Sequence, residues 1–462
     1  MRNRTVQITG ALTAVLALSW STRAAETTNP NPAEEQSALM KFLTRDYLFG
    51  DWGGGRTWLS DRGVDFEFFY IGSLPHNIDG GIKTGSAYQG ALLMLLDLDS
   101  RKLAGYEGGQ LHVGGAWLHG EDHFSDHHIG DLNKVNLIDF PNQARLWELW
   151  YEQRFLENKF SLKFGQMAVD QDFLKAEFYN SLASINLLNQ TFFYPTLAFN
   201  VYDIPGFPVG YHALNSSPYG APGVRLRWDP VDQFYTQAAV YDGYPDQKPS
   251  GTHVNLNEAE GALAYFEVGY KLNQRKQDTG LPGNFKLGAF YHTDDFPDNE
   301  STILSFIGAA TPTTHSGTYG AYFLADQKLF REIGKDDPAQ QGLVGFFRVA
   351  GAPKDRNLTQ FGIDGGLVYK GLIPSRDYDT FAVAGSYLEL SDDIRDAQRA
   401  VNRIAPVFPA LVDYEAAVEM NYKAQMTAWW TLHASVQRTF HPGGSATNPD
   451  SWAFILATTL RF

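Results

Sequence analysis

The stretch "RLWELWYE" at 145–152 places Glu148, Trp150 and Glu152 at alternate positions. Carboxylates accept hydrogen bonds, and an indole offers a flat apolar face. Facing carboxylates can also perform acid–base chemistry on glycosidic bonds when they stand across a cleft. In an extended chain Glu148 and Glu152 lie along one wall instead, so a glycosidase site does not follow. Charges of both signs recur in the same alternating style. In "KFSLKFG" Lys163 and Ser161 oppose Phe160, Leu162 and Phe164, and in "GVRLRWD" Arg225 and Arg227 oppose Val224, Leu226 and Trp228. Glu415, Glu419 and Lys423 oppose Tyr414, Ala416, Val418, Met420 and Tyr422 in "VDYEAAVEMNYK", where Val412 joins the apolar face. Setting the phase by the apolar face adds Glu267, Lys286, His292, Arg348 and Asp364 to the polar side. Interspersed acids and bases pair with one another and still present polar groups to a neutral solute. A lining of one sign would favour ions. Two roles stay open for these charges, bracing a wall or meeting a solute, and two for Trp150, a stacking face or a wall residue.

Catalytic signals do not appear. There is no G-x-S-x-G elbow, phosphate loop, dinucleotide fingerprint or Cys/His zinc pattern, so neither an enzyme nor a cofactor is expected. "HGEDHFSDHHIGD" at 119–131 spaces His119, His123 and His127 by four, with Glu121, Asp122 and Asp126 nearby. That spacing converges on a helix. On a loop nothing fixes the geometry, and the stretch reads as solvated, with no metal.

These residues need strands to hold them. Alternating segments occur near 64–73, 88–99, 109–118, 145–155, 159–167, 222–228, 234–242, 261–271, 283–292, 318–330, 341–350, 359–370, 380–390, 412–424, 430–440 and 451–462. That is about sixteen strands, an even number, as closed bacterial barrels require. The last of them, "SWAFILATTLRF", keeps Trp452, Phe454, Leu456, Leu460 and Phe462 on one side. The links alternate between short ones, such as "LENK" and "DPVDQ", and long ones of about 25 residues at 120–144, about 50 at 168–221 and about 25 at 293–317. "APKDRNLT" is short for its place in that alternation and "REIGKDDPAQQ" long.

Composition fits a barrel in lipid and fits a secreted all-β enzyme equally. There are 44 Gly, 23 Tyr, 32 Phe and 10 Trp, with a mean hydropathy of −0.29. A net charge of −15 argues against nucleic acid as a partner. Arg2 and Arg4, an apolar run and small residues near Ala24 and Ala25 predict a cleaved secretory signal over 1–25. With no cysteine, no disulfide supports the exported chain. A Pro-, Asn- and acid-rich segment at 26–46 is expected to be disordered. A short periplasmic helix is expected within 47–63, ending at Gly63, with the barrel over 64–462.

"LFGDWGGGRTWLSDRGVDFEFFY" resembles the opening of the carbohydrate-selective porin family, the OprB type. The resemblance continues in order through "LDLDSRKLAGYEGGQLHV", "RLWELWYEQRF", "KFSLKFGQMAVDQDFL", "APGVRLRWDPVD", "AAVYDG", "GNFKLGAFYHT", "GFFRVAGAPKDRN" and "GLVYKGLIPSRDYDT", over roughly 47–462. It departs mainly in the loops at 119–131 and 180–220. The resemblance implies an all-β, closed 16-stranded antiparallel transmembrane barrel in the outer membrane of a Gram-negative cell. Sugars such as glucose would pass through it into the periplasm without an energy source. Outer-membrane lipid, lipopolysaccharide and the barrel assembly machinery become expected partners. The terminal Phe462 is similar to the aromatic signal which that machinery reads.

A sugar pore needs donors and acceptors to replace the water on hydroxyls, an aromatic face, and weak binding. The expected pore lining is Glu148, Trp150, Glu152, Lys163, Arg225, Arg227, Glu267, Lys286, Arg348, Asp364, Glu415 and Glu419. The segment 168–221, which holds Asp170, Asp172, Phe192, Phe193, Tyr194 and Asn200, is expected either to fold inward and narrow the pore or to pack outside it. A general porin remains the alternative within the class. An adhesin or surface hydrolase is the alternative outside it, and larger external loops would favour it.

Overall fold

A computed structural model describes residues 32–462 apart from 122, 181–183, 194–214, 247, 254–260, 333–338 and 446. The signal segment, Asp122, Tyr194 and Asn200 lie outside the described residues. Two units are distinct, one up to Thr44 and one from Arg45 onward. The first holds helix α1 (Pro32–Leu43), so the stretch expected to be disordered carries a helix. Its run of Glu, Ala, Leu, Met and Lys consists of good helix formers.

In the second unit, helix α2 (Gly55–Asp61) ends where Gly63 takes a positive φ of 85°. An added Cβ there would come within 2.9 Å of the Asp99 carbonyl oxygen, so the position suits glycine twice over. Then come β1 (Val64–Asp79), β2 (Gln89–Asp99), β3 (Gly109–Gly120), β4 (Gln143–Phe155), β5 (Phe160–Met167), β6 (Ala221–Val231), β7 (Phe234–Asp242) and β8 (Ala262–Leu272). The second half is β9 (Gly283–Pro297), β10 (Thr314–Arg331), β11 (Gly342–Gly351), β12 (Thr359–Lys370), β13 (Thr380–Leu390), β14 (Tyr414–Thr427), β15 (Trp430–Phe440) and β16 (Ser451–Arg461). With the two-residue piece Gly85–Ser86 these sixteen make one antiparallel sheet. β1 pairs with β16 from Phe69↔Arg461 to Asp79↔Trp452, which closes the barrel.

Apolar side chains such as Trp117, Trp228, Phe266, Leu367, Val418 and Trp452 are exposed on the outside, and charged ones are buried within. That inversion belongs to a sheet whose outer solvent is lipid. Links after even-numbered strands gather at one end with α2, and the others at the opposite end. Strands β9 and β10 run past the expected bounds, which shortens the link read at 293–317 to 298–313. Helices α3 (Ser100–Ala104), α4 (Asn299–Ser305) and α5 (Asp392–Ile404) lie in links. Ser391 caps α5 by accepting from the Ile394 N–H, and Ile394, Ala397 and Val401 share its buried face. Val412, expected on the outer face, is buried in that cluster instead, because β14 starts only at Tyr414.

Candidate functional site

Two of the long links fold into the barrel. A loop without a sheet partner must satisfy its main chain some other way once buried. Inward-facing carboxylates do this for L2 (121–142) and L3 (168–220). Glu415 on β14 accepts from Leu132 N at 2.7 Å and Asn133 N at 2.7 Å, and from Gly443 N at 2.8 Å. Four residues on, Glu419 accepts from Leu188 N at 2.8 Å and Asn189 N at 2.9 Å. Four strands away, Asp326 of β10 accepts from Glu177 N and Phe178 N, both at 2.7 Å. Glu267 of β8 accepts from Leu174 N at 3.2 Å and from the hydroxyls of Tyr235 and Tyr322 at 2.8 Å each. Cations grip the carbonyls. Lys286 Nζ donates to Lys175 O at 2.6 Å, and Arg348, paired with Asp364 at 2.8 Å, donates to Thr191 O. The described stretches of L3 around 174–178 and 188–191 are thus held to β8, β9, β10, β11 and β14 and lie in the lumen.

A second cluster sits on β4–β6. A bulge at Trp147 sets its phase, because Glu148 pairs with Gly114 while Leu146 pairs with Gly115. The extra residue turns Glu148, Trp150 and Glu152 inward. Register then aligns Glu152 with Lys163 and Lys163 with Arg225. Asp172, from L3, joins them: Lys163 Nζ lies 2.9 Å from one of its oxygens and Arg225 Nη1 3.3 Å from the other. Arg225 also pairs with Glu152, which meets Arg154 at 2.9 Å. Burial raises the Asp172 carboxyl, but Lys163 and Arg225 outweigh it and hold the group below its ordinary value. Next to it Asp170 is raised, because burial outweighs the hydrogen bonds from Ser217. In L2, Asp131 is held well above its ordinary value by burial and then by Glu415. Trp150 is not bare. His112 stacks on it at 4.8 Å, and Lys163 Nζ lies 4.0 Å from its centre.

The charges expected to line the pore all face inward, yet L2, L3 and their neighbours cover most of them. Glu148, Glu152, Lys163, Arg225, Glu267, Lys286, Arg348, Asp364, Glu415 and Glu419 are buried, as are His292 and Lys423. Only Trp150 and Arg227 keep partial exposure, and Arg227 is engaged by Asp229 at 2.7 Å and by the Tyr235 ring at 3.9 Å. The structure brings Glu148, Trp150, Glu152, Lys163 and Arg225 together, leaves Glu267, Lys286, Arg348, Glu415 and Glu419 as separate attachment points, and turns Asp364 to Arg348 and Arg227 to Asp229. Sequence reasoning missed Asp326, Gln237 and Gln437 as loop holders, although the phase rule that found Glu267 places Asp326 inside too. His123 pairs with Asp126 and His128 with Glu121. Among the described residues these groups form no set of three or more metal ligands.

A sequence profile described as carbohydrate-selective porin, OprB family, matches residues 83–462. The chain belongs to that family. This carbohydrate-selective porin is 26% identical to Porin B of Pseudomonas aeruginosa over 96% of its own length and 94% of the relative's. It is 24% identical to the putative porin QuiX of Acinetobacter baylyi, over 90% and 93% of the two chains. A structure described as the high-pH structure of Pseudomonas putida OprB shares its fold, with a TM-score of 0.78 at 21% identity over 91% of this chain and 99% of that one. The porin is therefore a sugar channel of the outer membrane.

Proposed function

We propose that this porin lets neutral sugars of monosaccharide size, glucose among them, diffuse passively into the periplasm. The observation that carries the reading is the inward fold of L2 and L3 onto buried carboxylates. It fills part of the lumen with protein, and the inner charges are neutralised in pairs such as Lys163–Asp172 and Arg348–Asp364. A neutral polyhydroxy solute then meets polar groups without a strong field of one sign. The reading includes export through a leader over 1–25, insertion by assembly machinery acting on Phe462, and a setting of outer-membrane lipid and lipopolysaccharide. It contains no catalytic step. Currents through single channels in planar bilayers, titrated with glucose, a longer oligosaccharide and gluconate, test it. Glucose should reduce the current along a saturating curve near millimolar concentration, about 4 kcal/mol of binding, weak enough for release. A current indifferent to glucose, or blocked best by gluconate, would refute the reading.

A further inference from the structure

With Glu148, Glu152, Lys163 and Arg225 covered, a passing solute must be guided by other groups. Between the wall of β1–β2 and L3 lies a recess of about 310 Å³. That is the lower end of the size of small-molecule sites. Glu67, Phe69 and Leu95 line it from the wall, and Lys175, Tyr179 and Phe193 from L3. Lys175 differs from the covered cations of the wall. It is exposed, whereas Lys163, Lys286, Arg225 and Arg348 are buried. Among the described residues its ammonium enters no ion pair, although Asp172 and Glu177 feel its charge.

Its backbone is fixed on both sides. Glu267 holds Leu174 N, Lys286 holds the Lys175 carbonyl, and Asp326 holds the N–H groups of Glu177 and Phe178. Three wall residues thus immobilise the main chain around a side chain whose charged end enters no ion pair among the described residues. Such a group is pre-organised on a rigid support, as a binding contact requires. Glu67, itself paired with Arg461 at 2.5 Å, supplies acceptor oxygens in the same recess. We propose that Lys175 is the solute-contacting residue of this pore. Its three ammonium hydrogens donate to sugar hydroxyls in the recess, and its charge biases small-ion current toward anions. This rests on the sugar-channel reading above.

The chain has no cysteine, so single-cysteine variants report one position each. Lys175→Cys and Ser161→Cys, the latter in the buried β4–β6 cluster, would be exposed in planar bilayers to a charged methanethiosulfonate reagent. Lys175→Cys should react at least about tenfold faster, since a covered thiol reacts only in the fraction of molecules that open. Glucose should slow that reaction. Lys175→Gln should weaken glucose block about fivefold, the worth of one hydrogen bond, and lower the anion preference. Equal labelling rates, no protection by glucose, or undiminished block in Lys175→Gln would overturn the assignment of Lys175 alone. A wild-type current that glucose does not change would overturn the sugar reading as well.

Discussion

Asp172 links a loop to two strands, and its chemistry sets how firmly. It faces two cations, Lys163 and Arg225, with both carboxylate oxygens in use. Because its folded value lies below the ordinary one, its contribution is present above the unfolded value and is lost as pH falls through the folded one. Acidification below about pH 4, the ordinary carboxylate range, should therefore loosen L3 and raise conductance. Asp172→Asn should abolish that acid step. The same substitution leaves the buried Lys163 without its ion pair, while Arg225 keeps Glu152, so it should cost about 3–5 kcal/mol in unfolding from detergent. Arg227→Ala should cost at most about 1 kcal/mol, since its pair with Asp229 is partly wet. Equal losses in the two variants would mean that Asp172 is no hub.

The strands were legible because period two is local. Each strand announces its own two faces, and even across the bulge at Trp147 the spacing of Glu148, Trp150 and Glu152 kept the right phase. What the alternation could not say is whether an inward charge meets a solute or a loop. That depends on contacts such as Glu419 with Leu188, 231 residues apart in sequence. No short-range pattern encodes such a pair. Helix α5 is a different case. Ser391, followed by Asp392 and Asp393, is a readable start signal inside a stretch taken as a link. The attachments make their own prediction. Glu419→Ala leaves two buried N–H groups unpartnered, at about 1–3 kcal/mol each. It should lower thermal stability and widen the pore, read as conductance. Val418→Arg, on the lipid face beside it, should cost about 2–4 kcal/mol. Arg at Ala417, which is 1% exposed between the two attachments, must displace L2 and L3 and should raise noise in the current.

As a whole, the molecule is a closed sheet whose seam joins its first and last strands. Phe462 N donates to Phe68 O at 3.0 Å, the Phe462 ring meets Phe49 at 5.4 Å, and Arg56 donates to Phe66 O and Phe462 O. Arg56 also lies over the Tyr47 ring at 3.6 Å. The segment before the barrel thus covers the seam. Phe462→Asp should leave protein in the periplasm and little at the surface, with Arg56→Ala milder and seen as a lower temperature of mobility shift on gels. Normal surface levels of Phe462→Asp would sink this reading. The barrel wall has a further property. Glu267, Asp326 and Glu419 hold L3 through amide hydrogens, which every residue but proline supplies. The identity of the side chains there is left unconstrained by the grip. Lineages could therefore exchange the filter residues of L3 one at a time, acquiring new diets, while the scaffold stays unaltered. Proline at 174, 177, 178, 188 or 189 is the change such drift would have to avoid.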